Sequence, residues 1–524
     1  MAAAVAVLAV VGLLGWVLGR GGEDDAAAPP RTATGAPTCS GEPGAPATPA
    51  PAGPAPGAVD VRDFGAVGDG VTDDAPAIRR ALAAATAVHV PAGSYLLDSF
   101  DSPRTGLVTA DFVFSLRSGQ VLTADPGAVF RMADGAVTGS SAAWGGNVFL
   151  APAVHDIVIS GLTLDLNGPG NLVPAGRVIT GYGLYAYDSE HVRLSDVTML
   201  DTPGQNYVVA QGGGTDIRVE RSTFRNGGTS IPGNRNQDDF SALYFTATDV
   251  VVDQVTIEHD QPPFDFSGGV ELHGSRESVT ASRVEQSWPA VYIGPDAKAG
   301  GPVQQDVTVA CNSFTDVGRG VVFNAGGTKP IDGVRITQND VELARFDAFP
   351  TEPTRGIDQD MPTEPAWTYH HVITGLEVDR NRITDTDGTS DAAVRLSQVQ
   401  GATITGNDLR GTSRAALELH SSPWGTKNVT FERNTVEWLG HAPAVALSLG
   451  GRSTDPPVAA FTADDITVAH NRISRGDGRS GRCAIYADWN AHAGVSAVRA
   501  YGNTVAGDTP GRCGPRAAQL QGSP

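Results

Sequence analysis

From Val59 onward the chain alternates. Short runs carry aliphatic side chains at every second position and are broken by Gly, Asp and Asn, the period of a half-buried strand. Examples are YGLYAYDSEHVRLSDVTML (182–200), NYVVAQGGGTDIRVERSTF (206–224), SALYFTATDVVVDQVTI (241–257) and GVELHGSRESVTASRV (269–284). AAVRLSQVQGATITGNDL (392–409) and ALELHSSPWGTKNVTFERNTV (416–436) continue the series. The unit recurs about every 22–30 residues, with longer excursions near 296–303, 347–370 and 451–464. A unit this short cannot bury a face alone, but stacked units can, and the product is a solenoid of parallel strands. Helical spacing is confined to 74–85, where Ile78 and Leu82 stand at i, i+4. Asp73 or Asp74 is placed to cap that helix and Pro76 lies in its first turn. A strand is expected from His89 to Tyr95. The pattern predicts an all-β, single-stranded parallel β-helix of about a dozen coils with a short N-terminal capping helix.

The first 57 residues read differently. Residues 2–18, AAAVAVLAVVGLLGWVL, are apolar without a break. The run is long for a secretory core and short for a spanning helix, so 1–20 is expected to be a signal peptide or a membrane anchor. Residues 21–57 are Pro, Ala, Gly and Thr with little to bury, the composition of an extended linker. The expected organisation is 1–20 leader or anchor, 21–57 linker, 58–515 solenoid and 516–524 tail.

Composition narrows the partners. The net charge is −21 over 524 residues, which excludes a general phosphate-binding surface and hence nucleic acid. Lys298, Lys329 and Lys427 are the only lysines, and every other fixed cation is Arg, a bias that codon usage explains. Cys483 and Cys513 bracket the last stretch and are placed to staple it in an oxidising compartment. Cys311 lies in an apolar strand pattern and reads as a small buried hydrophobe. No cysteine and histidine spacing suggests zinc.

The opening DFGAVGDGVTDD (63–74), an amphipathic helix and the strand VPAGSY (90–95) together resemble the start of the pectate-lyase-like right-handed parallel β-helix superfamily. That group includes polygalacturonase-like hydrolases, rhamnogalacturonases, polysaccharide lyases, uronan epimerases and phage tailspikes. The resemblance implies the fold over roughly 59–515 and a polysaccharide as substrate. It does not by itself imply one chemistry.

Outward polar residues on successive coils, about 4.8 Å apart, line a groove suited to a long glycan. In GGVELHGS (268–275), Val270 and Leu272 face inward, so Glu271 and His273 face outward side by side. Tyr292, between inward Val291 and Ile293, faces outward on the next coil. Asp238 and Asp239 precede the strand that begins at Phe240, and Asp265 lies in the acidic, aromatic stretch before Glu271. The Asp pair resembles the paired acids of polygalacturonase-type hydrolases, where they act as general acid and water-activating base. Aligning Val250 with Val279 sets Asp239 beside Gly268. That family carries His in the neighbouring position, and its Asn-Thr-Asp and Arg-x-Lys are also missing here, which argues against a true polygalacturonase. Tyr244, Tyr292, Phe264 and Trp288 are candidates for stacking on sugar faces. Farther on, Asp358 and Asp360 face outward around Ile357 and, with Arg319, are candidates to extend the substrate cleft, while Glu418 and His420 repeat the Glu-x-His pattern by repeat similarity.

Glycosidic inversion needs one protonated carboxyl and one carboxylate, which Asp238, Asp239, Asp265 and Glu271 supply, with His273 to tune them. The expectation is a secreted or surface-anchored monomeric glycoside hydrolase without a cofactor. A lyase or epimerase would instead need a cation for the uronate, such as Arg276, Arg283, Arg319 or a Ca²⁺ ion, with Asp358 and Asp360 among its ligands. A noncatalytic glycan-binding module is the third reading.

Overall fold

The computed structural model describes Cys39 and residues 53–101, 111–137, 145–177, 179–235, 240–261, 267–295, 303–323, 330–347, 354–359, 372–386, 388–412, 414–420, 425–439, 442–449, 462–476, 483–489, 493–506 and 510–522. The expected leader and most of the expected linker lie outside them, as do Asp238, Asp239, Phe264, Asp265 and Asp360. Among the described residues no helix is long and apolar enough to cross a membrane.

Three long parallel sheets wind as one right-handed β-helix. The first has fifteen strands, from Val59–Asp60 to Gly494–Tyr501. The second also has fifteen, from Asp69–Asp73 to Thr504–Val505. The third has fourteen, from Phe112–Ser115 to Arg512–Cys513. The chain visits the sheets in turn, so each strand pairs with its counterpart one coil away. The stack is thus somewhat taller than the dozen coils the repeat length suggested.

Period-two alternation produces the core. In Val291–Ile293, Val291 and Ile293 are fully buried while Tyr292 between them is half-buried. Aliphatic side chains at such positions stack coil on coil into one continuous core, with Tyr95, Phe130, Phe149 and Trp438 among its largest members.

Helix α1 (Ala75–Ala84) closes the N-terminal end, burying Ala75, Ala77, Ile78, Ala81 and Leu82. The two candidate caps divide the work. The Asp73 carboxylate accepts from Ala75 N–H at 3.2 Å, while Asp74 accepts from Val67 and Gly68 N–H at 2.6 and 3.0 Å. Asp74 therefore ties the glycine-rich opening onto the helix rather than capping it.

The corner between the first and second sheets carries a ladder of Asn312, Asn339, Asn381, Asn407, Asn434 and Asn471, all buried, and half-buried Asn503. Each Nδ2 donates to a backbone carbonyl of the preceding coil, as Asn339 does to Val309 at 2.9 Å. Each following Asn Oδ1 accepts from the backbone N–H and Nδ2 of the Asn before it, as Asn339 accepts from Asn312 at 3.0 and 2.9 Å. The amides satisfy corner groups that bury themselves away from water.

Immediately before the ladder asparagines stand residues in the left-handed region, Cys311 (φ 61°), Gln338, Arg380, Arg433 and His470 among them, and Arg221 and Gln254 hold the same conformation on earlier coils. The other members of the row are mostly polar, because the turn points them away from the core. Cys311 belongs to that row; it is buried, as expected, but lies outside the continuous core and is not a free thiol. It is disulfide-bonded to Cys39. Cys483 and Cys513 are joined as the sequence suggested.

Candidate functional site

The outer face of the third sheet gathers the candidate residues. Strand register places Tyr244 beside Glu271, Glu271 beside Tyr292, Tyr292 beside Val322, and Val322 beside Asp358. The same row continues through Arg395 to Glu418.

Val270 and Leu272 enter the core, so Glu271 turns outward. Its environment is close: the residue is 8% exposed although it stands on an outer face. Ser241 Oγ donates to Glu271 Oε1, and His273 Nε2 lies 3.1 Å from Oε2. His273 Nδ1 lies 2.6 Å from the Gly294 carbonyl, which only accepts, so this nitrogen carries a proton. The Tyr244 and Tyr292 rings flank the imidazole with centroids at 4.8 and 5.8 Å. Burial opposes charging of the ring. The hydrogen bond and charge of Glu271, the charge of Glu277 and the Gly294 carbonyl outweigh it and raise the His273 pKa above 6.5. The result is a carboxylate and an imidazole bonded to each other between two aromatic rings.

The register corrects one expectation. Val252, not Val250, pairs with Val279, and Ser241, not Asp239, lies opposite Gly268. Val250 and Val252 are both fully buried, so alternation alone fits either pairing, and the observed register is the one shifted by two residues. Ser241 is thereby turned to Glu271, a partner the sequence pattern did not single out.

A second cluster lies three coils along. Asp358 is fully buried, with Oδ2 at 2.8 Å from Arg355 Nη1 and 3.4 Å from Arg319 Nη1. The Arg319 guanidinium lies 5.2 Å from the centre of the Trp288 ring, and Trp288 itself is buried. Two coils beyond Asp358, His420 Nε2 stands 3.5 Å from Glu418 Oε1 and Arg395 Nε 3.6 Å from Oε2. Burial alone would raise the Glu418 carboxyl, but His420, Arg395 and Arg355 outweigh it and hold it at about 2. Such a group donates no proton at neutral pH.

The two clusters do not form one dyad. Three coil spacings separate Glu271 from Asp358, about 14 Å, beyond the roughly 6.5–9.5 Å of an inverting carboxyl pair. Two other candidates leave the face altogether. Arg276 is bonded to Asp249 at 2.7 and 2.8 Å, and Arg283 lies on the second sheet beside Glu285. Among the described residues no three His, Cys, Asp or Glu side chains gather as metal ligands.

Known proteins share parts of this architecture. Residues 58–106 match the family model for rhamnogalacturonase A/epimerase, pectate lyase-like. Plasmin and fibronectin-binding protein A of Streptococcus pneumoniae is 29% identical over 180 residues, which is 32% of this chain. The match spans only 24% of that relative's length. The tailspike protein of E. coli bacteriophage HK620, solved with a pentasaccharide, superposes with a TM-score of 0.58 at 16% identity, covering 86% of this chain and 78% of the tailspike. A variant of that tailspike with a hexasaccharide gives 0.55 at 15% identity, covering 86% and 77%. At such identities these likenesses establish the fold.

Proposed function

We propose that this pectate-lyase-like right-handed parallel β-helix is an extracellular or surface-displayed carbohydrate-active enzyme that hydrolyses a polysaccharide along the outer face of its third sheet. One observation carries the reading: Glu271, a nearly buried acid on an outer face, is bonded to His273 and Ser241 and flanked by Tyr244 and Tyr292 on adjacent coils. Aromatic rings beside an acid suit a sugar, whose ring faces stack while its linking oxygen meets a proton donor. Glu271 and His273 are assigned the proton transfers. The second carboxyl of an inverting pair is assigned to Asp238, Asp239 or Asp265, which immediately precede the two strands bearing Ser241 and Glu271. The cluster of Arg319, Asp358, Arg395 and Glu418 extends the groove as a binding surface. The family match, the oligosaccharides bound by the tailspikes, and two disulfides of the kind formed in oxidising compartments all support this reading.

A lyase or epimerase is the second reading. It is favoured by Arg319 and Arg355, two nearly buried guanidinium groups on the same face, which suit a uronate carboxylate.

A panel of plant, algal and bacterial polysaccharides decides. Reducing ends without ultraviolet absorbance support hydrolysis, absorbance marks a lyase, and tight binding without turnover leaves a lectin-like module. On a verified substrate, Glu271→Gln is expected to lower turnover by about two orders of magnitude or more with melting nearly unchanged. Full activity in that variant would remove Glu271 from the site.

A further inference from the structure

Glu277 lies beneath the turn that carries His273 and has no role in the pairing described above. It is 1% exposed. Its Oε1 accepts from Gly274 N–H at 3.0 Å, and its Oε2 accepts from Gln304 Nε2 at 3.1 Å. Gln304 Nε2 is in turn fixed to the Leu272 carbonyl at 2.9 Å. The carboxyl is therefore fastened between the backbone just before His273 and the backbone just after it. The neighbouring cation turns away, since Arg276 forks onto Asp249. Among the described residues, the cationic group left to answer Glu277 is His273. Burial pushes the Glu277 carboxyl up to about 8, against the pull of Gly274, Gln304 and His273.

The groups facing His273 are Glu271 on its own strand, Tyr244 and Tyr292 on the coils either side, the Gly294 carbonyl, and Glu277 in the following turn. With Nδ1–H committed to Gly294, an unprotonated Nε2 would face a carboxylate oxygen as acceptor against acceptor. One proton must therefore lie between Nε2 and Glu271 Oε2. Anything that alters the charge behind His273 changes how tightly that proton is held.

We propose that Glu277 is a positioning residue that acts through His273: its carboxyl sets how tightly the imidazole keeps the proton it shares with Glu271. This rests on the reading of Glu271 and His273 as the reactive pair. When Glu277 is ionised, its charge holds the imidazolium to higher pH. When it is neutral or replaced by an amide, that support goes and the shared proton leaves at lower pH. A buried carboxyl serving only to satisfy Gly274 N–H could be replaced by its amide without touching His273.

The test is a nuclear magnetic resonance titration of the full chain labelled in its histidine rings, with His273 assigned by comparison with His273→Gln. In the wild type the His273 signal is expected to show a second inflection as Glu277 ionises. In Glu277→Gln that inflection vanishes and the alkaline part of the His273 curve moves to lower pH. Glu277→Asp, which keeps the charge, restores part of the shift. A His273 curve with one inflection in the wild type and the same curve in the variants would overturn the proposal. Should the amide variant fail to fold, the wild-type curve decides alone. No substrate is involved, so failure of every polysaccharide to turn over would sink the functional reading and leave this result standing. On a verified substrate the alkaline limb of the pH profile moves down with the same variant.

Discussion

Cys39 is disulfide-bonded to Cys311, with Cα atoms 5.6 Å apart and a sequence separation of 272. The bond pins one point of the Pro- and Ala-rich segment to a coil deep in the stack, so that segment is not wholly a free spacer. Closing so long a loop restricts the unfolded chain strongly. Cys39→Ser is expected to lower stability by about 2–4 kcal/mol, read from urea unfolding. A chain beginning at residue 58 is expected to fold, because the sheets start at Val59, but to melt below the full chain and to expose Cys311 to a thiol reagent. Identical melting of the two chains would show that the bond contributes nothing.

The asparagine ladder predicts a sharp difference between buried and exposed amides. Asn434 Oδ1 accepts from Asn407 N–H and Nδ2, both at 2.9 Å, and its own Nδ2 donates to Ile404 at 2.9 Å. Asn434→Ala strands the buried Asn407 N–H and takes a donor from the Ile404 carbonyl, while Asn407 Nδ2 keeps Val378 and Thr405. Destabilisation of at least about 2 kcal/mol is expected from chemical denaturation. The exposed left-handed neighbour Arg433 carries no such burden, so Arg433→Ala is the control. Equal effects would mean that the ladder is ornamental.

Gly274 tests the turn behind the imidazole. A Cβ there would stand 1.8 Å from the Ala247 carbonyl oxygen, a backbone atom that cannot swing aside. Gly274→Ala is expected to cost about 1–3 kcal/mol and to displace His273 from Glu271, lowering turnover on a verified substrate. An unperturbed His273 resonance in that variant would contradict the packing described.

Most of the solenoid was legible because burial at period two is a local property. Val270, Glu271, Leu272 and His273 announce their directions within four residues, and the structure keeps them. What failed was anything set at a corner or over a long separation. Val250 and Val252 both turn inward, so counting by twos cannot tell one pairing from the next, which misplaced Asp239 and hid Ser241. Cys311 looked like part of the strand that ends at Ala310, yet it occupies the outward turn row of Gln338 and Arg380. Aligning the coils on their asparagines would have exposed that row. Glu277 follows a turn and lies outside any alternation. Its importance comes from burial and from Gln304, which no local pattern records.

His259 and Glu277 predict opposite limbs of the stability profile. Both ring nitrogens of His259 are buried without a hydrogen-bond partner, and the ring packs edge-on against Phe240. Burial lowers its pKa from 6.5 to about 4, the charge of Asp260 opposing. Between those values the unfolded chain binds a proton that the folded chain refuses, so stability falls as pH drops from about 6.5 to about 4. Glu277 has the reverse sign. Its folded pKa of about 8 exceeds its ordinary 4.5, so its contribution is full below about 4.5 and is lost as pH rises towards 8. His259→Leu is expected to flatten the acid limb and, by removing an unsatisfied ring, to raise stability by about 1 kcal/mol at neutral pH. Glu277→Gln is expected to remove the fall between about 4.5 and 8 and, where the two windows overlap, to steepen the acid limb. Urea midpoints measured across pH 5 to 8.5 check both, and an acid limb in His259→Leu as steep as that of the wild type would show that another group drives acid unfolding.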